Sequence, residues 1–226
     1  ELLSLVGPNG AGKTTLIRCL ADGMEKSGGR VVIFGKELGR WPPDRCVALG
    51  IGRKFQAASI YETLTVAECL RLARYRLERF SLWQATPVLD LPEAALRIVT
   101  ETGLAERLDI EVRHLSHGQK QALDLAMVLA LEPTIVLLDE PTAGLTKTER
   151  ERIGGILTSL VERERLSVLL VEHDLDFVRQ ISSRVIVMHQ GKIVLDGSVA
   201  EVVDSELVRE IYAGSGHEPA PAGGAA

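Results

Sequence analysis

The chain has 226 residues, 46% hydrophobic and 25% charged, which suits one large globular domain, or one domain carrying a subdomain, with a well-buried core. Its 26 basic and 31 acidic residues leave a net charge of −5, which argues against the basic footprint that nucleic acid binding needs. Three widely spaced cysteines with no C-x-x-C pair argue against a disulfide framework or a cysteine metal site, and no uninterrupted apolar stretch reaches membrane-spanning length.

Leu2–Val6 is a short apolar run of strand type. Residues 7–14 follow as Gly7-Pro8-Asn9-Gly10-Ala11-Gly12-Lys13-Thr14, the complete pattern G-x-x-x-x-G-K-S/T, and residues 16–21 continue as a helix. The glycines let the backbone wrap a phosphate, so that successive N–H groups and the helix N-terminus point at negative charge. Lys13 supplies a point charge for the β and γ phosphates, and Thr14 a hydroxyl for Mg²⁺. A chance match in a chain of this length has odds of roughly one per cent before the flanking strand and helix are counted. The loop therefore assigns a ligand class, the triphosphate end of a nucleotide.

Residues 31–34 read as a strand with a turn at Gly35, and Trp41-Pro42-Pro43-Asp44 opens a short helix. Residues 48–55 lead through Gly50 and Gly52 to Gln56 at the end of a strand-like segment. From 65 to 80, Val66, Leu70, Ala73 and Leu77 recur at helical spacing. Residues 93–108 are helical again, with Gly103 as a break, so 65–112 form a helical block inserted into an alternating chain. Ser116 then starts a helix to about 131. Residues 135–138 are a buried-type strand, 148–164 a helix and 167–171 another strand. A short helix begins at Leu175, and 184–188 and 192–195 flank Gln190-Gly191 as a hairpin. Residues 213–226, rich in Gly, Ala and Pro, read as a disordered tail. Alternating β and α elements with a phosphate loop after a strand imply a mostly parallel sheet covered by helices.

Ile135-Val136-Leu137-Leu138-Asp139-Glu140 is an apolar run ending in two acids. A strand buried on both faces reads this way, and carboxylates at its C-terminal end emerge where α/β proteins bind ligands. Asp139 can hold Mg²⁺ opposite Thr14. Glu140, pointing the other way along the strand, can polarise the water that attacks the γ-phosphate. His173 closes the next strand in order and would emerge at the same sheet edge, and Gln56 could bridge Mg²⁺ or water to the helical block.

In this order, residues 7–14, Gln56, Leu115-Ser116-His117-Gly118-Gln119, Asp139-Glu140 and His173 resemble the nucleotide-binding subunit of an ATP-binding-cassette (ABC) transporter over residues 1–212. The resemblance implies a P-loop NTPase fold, α/β with a mostly parallel sheet, an inserted helical subdomain at about 65–112 and an antiparallel β portion truncated at the N-terminus. Glu1 and a phosphate loop only six residues later read as a trimmed start, and the adenine-stacking aromatic of this family lies upstream of that loop. By the same resemblance Asn9, Gly10, Ala11, Gly12, Lys13, Thr14 and Thr15 cradle phosphates. Thr14, Gln56 and Asp139 attend Mg²⁺, Glu140 is the general base, and His173 contacts the γ-phosphate.

Ser116-x-x-Gln119 is a capping-box spacing in its own right. In the family the same helix start contacts ATP in the opposite subunit of a dimer, through Ser116, Gly118 and Gln119. His117 stands where the family usually has Gly, and Thr146 where its dimer-contacting loop often has Asp or Asn. Gly50-Ile51-Gly52-Arg53-Lys54-Phe55-Gln56, Leu64-Thr65-Val66, Leu115-Ser116-His117-Gly118-Gln119-Lys120-Gln121 and Val171-Glu172-His173-Asp174 resemble the branched-chain amino acid and urea uptake branch, and the wording of 52–56 and 116–119 leans towards the urea type. Implied partners are transmembrane permease subunits and a second ATPase subunit, identical or not, at the cytoplasmic side of the cell membrane. The rival reading is a soluble ABC-type ATPase of DNA repair or translation. Those usually carry a long coiled-coil insert or two cassettes, which this chain lacks.

Overall fold

The computed structural model describes residues 1–22, 26–39, 41–54, 60–75, 77, 89–164 and 166–213. Eight strands are named here β1 (Leu2–Val6), β2 (Val31–Ile33), β3 (Lys36–Leu38), β4 (Ile51–Lys54), β5 (Ile135–Asp139), β6 (Ser167–Val171), β7 (Arg184–His189) and β8 (Lys192–Gly197). The helices are α1 (Lys13–Asp22), α2 (Pro43–Ala48), α3 (Val66–Arg74), α4 (Glu93–Glu101), α5 (His117–Leu129), α6 (Lys147–Glu164), α7 (Leu175–Ile181), α8 (Val199–Val203) and α9 (Glu206–Ala213).

Six strands form one sheet in the order β4-β5-β6-β1-β7-β8. All its pairings are parallel except β7 with β8. This is the α/β P-loop arrangement the sequence implies. Side chains alternate across the strands, and both faces are covered. Val136, Leu138, Val168 and Leu170 pack into a core with α3, α4, α5 and α6. Leu5, Leu137 and Val171 pack on the other side with Ile17, Ala21 and Cys46 of α1 and α2. A third cluster seats Val178, Val202, Val208 and Tyr212 of α7 to α9 against Val6, Val185 and Val187.

β2 and β3 form a separate antiparallel pair. They are joined by Phe34 (φ 49°) and Gly35 (φ 76°), both left-handed as a type I′ hairpin turn requires. Phe34 is therefore turn rather than strand. The Gln190-Gly191 turn repeats this geometry between β7 and β8, with φ values of 47° and 76°.

Several helix ends differ from the periodicity. The helix expected over 65–80 ends at Arg74, and Tyr75 and Leu77 lie in turns. The one expected over 93–108 ends at Glu101, where Gly103 takes φ 72° and a 3₁₀ turn, Ala105–Arg107, follows. Past the second break Leu104 stays buried, which is why the apolar stripe runs on, whereas Tyr75 and Leu77 past the first are exposed. Gln56 and the tail from residue 214 onward lie outside the described residues. Among the described residues no helix is long and apolar enough to cross a membrane.

Candidate active site at the strand ends

The phosphate loop leaves β1 through Gly7, whose φ is 149°, where a Cβ would stand 2.1 Å from the Met188 carbonyl oxygen. No side chain fits there. The far side of the loop is held by the β7–β8 turn, since the Gly191 N–H donates to the Ala11 carbonyl at 2.9 Å. Lys13 opens α1 and is 7% exposed. Its Nζ donates to the carbonyls of Gly7 (2.7 Å) and Pro8 (3.1 Å), so the ammonium sits inside the loop. Burial pulls its pKa below the usual lysine range, against the charges of Glu140 and Asp139.

Alternation along β5 places Asp139 on the same face as Leu137, the side of α1. There Thr14 Oγ1 donates to Asp139 Oδ1 at 3.4 Å. Burial pushes the Asp139 carboxyl up, and the Thr14 bond opposes it. A buried carboxylate and a hydroxyl side by side are hard oxygen donors of the kind Mg²⁺ takes when substrate phosphates and water complete its shell. The residues present therefore fit that ion.

β5 ends at Asp139, so Glu140 is not a strand residue. It takes a left-handed backbone (φ 47°), and its N–H donates to Val171 O at 3.0 Å. β6 runs beside β5, which brings His173 to the same edge. Its Nδ1 lies 4.0 Å from Glu140 Oε1 and 3.9 Å from Glu172 Oε2. Lys13, Thr14, Asp139, Glu140 and His173 thus converge from three adjacent strand ends.

Ser116, Gly118 and Gln119 form a second group at the start of α5. The capping box is complete: Ser116 Oγ accepts the Gln119 N–H at 3.2 Å, and Gln119 Oε1 accepts the Ser116 N–H at 3.3 Å. His117 Nε2 bonds to the Ala143 carbonyl at 3.1 Å, tying this helix start to the loop after β5. Thr146 has a local role too. Its N–H and hydroxyl donate to Glu149 Oε2 at 2.9 and 2.8 Å, and its Oγ1 accepts the Glu149 N–H at 3.3 Å, which caps α6.

Sequence reasoning passed over Glu172, 1% exposed, and Thr142, 3% exposed, whose side chains meet at 2.5 Å beneath His173. In the sequence Glu172 counts only as part of the run Val171-Glu172-His173-Asp174 that marks the uptake branch. It also passed over Lys54, 1% exposed, whose ammonium donates to Gln121 Oε1 at 2.5 Å and lies 3.5 Å from Asp124 Oδ2.

Residues 1–143 match the family described as ABC transporter. The high-affinity branched-chain amino acid transport ATP-binding protein LivG of Salmonella typhimurium is 30% identical, over 95% of this chain and 87% of that protein. BraF of Pseudomonas aeruginosa, of the same description, is 30% identical with the same coverage. The phosphonates import ATP-binding protein PhnC of Chromohalobacter salexigens is 34% identical over 98% of this chain and 84% of that protein. Among solved structures, the ADP conformation of an ATP-binding cassette of an ABC transporter superposes with a TM-score of 0.78 at 27% identity, covering 95% of this chain and 88% of that one. A dimeric post-hydrolysis cassette bound to ADP and phosphate gives 0.74 at 25% identity, covering 88% and 85%.

Proposed function

The chain belongs to the ABC transporter family and is an ATPase of that family, and from that premise we propose that it hydrolyses Mg²⁺-ATP to energise an uptake permease for branched-chain amino acids or urea. The observation that carries the catalytic part is the convergence of Lys13, Thr14, Asp139, Glu140 and His173 at three neighbouring strand ends. The branched-chain relatives support the uptake class. The urea preference rests on the wording of residues 52–56 and 116–119.

In this reading the loop amides of residues 9–15 hold the phosphates. Lys13 exchanges its loop carbonyls for β- and γ-phosphate oxygens, offsetting charge in a loose, in-line transition state. Thr14 and Asp139 hold Mg²⁺, with Gln56 as a further contact, and the ion when bound neutralises phosphate charge. Glu140 accepts a proton from the attacking water, and His173 contacts the γ-phosphate. Ser116, Gly118 and Gln119 serve ATP bound to a second cassette, so two subunits enclose two nucleotides.

Residues 1–212 act as one ATPase domain, with the 65–112 block as its moving part. Tyr61, Leu72, Tyr75 and Leu77 in and near that block are between 47% and 64% exposed, and they supply apolar side chains for contact with a helix of the permease at the cytoplasmic face of the membrane.

The test is Glu140→Gln. It keeps the shape and removes the base. ATP binding is expected to persist while turnover falls by about 10²- to 10⁴-fold, with an ATP-dependent dimer accumulating in size-exclusion chromatography. Wild-type turnover in that variant would overturn the role of Glu140.

A further inference from the structure

β5 and β6 end side by side, with Asp139 opposite Val171, so Glu140-Pro141-Thr142 and Glu172-His173 leave the sheet together. Glu172 follows Leu170 to the face away from α1 and is 1% exposed. Its carboxylate accepts the Thr142 hydroxyl at 2.5 Å. His173 stands between it and Glu140, at 3.9 and 4.0 Å. These contacts close a ring from Glu140 along the chain to Thr142, across to Glu172, on to His173 and back to Glu140. Glu140 itself holds a left-handed backbone that non-glycine residues keep only where the surroundings impose it. An apolar pair would join the two strand ends without burying a carboxylate. A hydrogen-bonded carboxylate adds direction, which an apolar contact does not.

We infer that Glu172 is a positioning residue for ATP hydrolysis: by anchoring Thr142 beside His173 it sets where the Glu140 carboxylate points. The inference rests on the reading of Glu140 as the base. It is tested by steady-state ATPase kinetics and equilibrium nucleotide binding on Glu172→Ala, Thr142→Val, their combination and Glu172→Gln, with Glu140→Gln measured in parallel.

In both single variants kcat is expected to fall about tenfold to a hundredfold, the scale of a misplaced reacting group, while KM and affinity for ATP stay within about twofold. The double variant falls no further than the worse single, and Glu172→Gln, which can still accept the Thr142 hydroxyl, recovers part of the loss. A folded Glu172→Ala or Thr142→Val with wild-type kcat overturns the inference, and so does a parallel loss of kcat and ATP affinity. Should Glu172→Ala fail to fold, Thr142→Val, which removes one hydroxyl, decides alone. Turnover persisting in Glu140→Gln defeats the base assignment and this inference with it. A dead Glu140→Gln beside an unaffected Thr142→Val defeats this inference only.

Discussion

Burial shifts the titrating groups of the site in directions set by their charge type. Lys13 is pulled down, and Asp139 and Glu172 are pushed up. Folded Glu172 therefore keeps its proton to higher pH than the unfolded carboxyl, whose ordinary value is 4.5. Between that value and the raised one the native state binds more protons than the unfolded state, so stability falls as pH rises. Glu172→Gln removes this dependence. Urea midpoints of the two proteins, taken upward from pH 4.5, should show the wild type losing stability relative to Glu172→Gln; parallel curves would contradict it. The phosphate loop and the Asp139-Glu140 pair were readable at this scale because each is a contiguous run whose chemistry its own spacing declares. Glu172 and Thr142 were not, since their 30-residue separation is bridged only by sheet pairing.

The start of α5 was legible because a capping box, here Ser116/Gln119, is a four-residue event, and both its reciprocal bonds form. Thr65/Glu68 and Ser198/Glu201 complete the same box at α3 and α8. An end such as Arg74 is not marked by the apolar periodicity, which runs on to Leu77. The starts of α5 and α6 also meet: a Cβ on Gly118 would lie 2.2 Å from Glu149 Oε1, the carboxylate that completes the Thr146 cap. Gly118→Ala alone should lose in that cap, about 1 kcal/mol, what it gains in helix propensity, up to about 1 kcal/mol. In a Glu149→Ala background the same change should stabilise. Urea denaturation of the four proteins measures this coupling, and additive effects would refute it.

At the scale of the whole molecule, β4 is joined to α5 by a buried charge. Lys54 is 1% exposed, 2.5 Å from Gln121 and 3.5 Å from Asp124. Burial pulls the Lys54 pKa down and Asp124 opposes that shift. Removing Lys54 takes its charge away from the buried Asp124 carboxylate, so Lys54→Met should cost about 3–5 kcal/mol, and adding Asp124→Leu should recover much of it. Chemical denaturation decides; a Lys54→Met chain as stable as wild type would show that the pair is not a structural tie.

The nucleotide class, the alternating α/β order, the acids at the strand end and the Ser116 cap were all legible in the chain, because each is encoded within a few adjacent residues. Long-range packing alone brings Gly191 to the phosphate loop, Lys54 to Asp124 and Glu172 to Thr142 and His173. Those contacts follow from the strand order β4-β5-β6-β1-β7-β8. That order comes from burying both faces of one sheet at once, and no local segment encodes it.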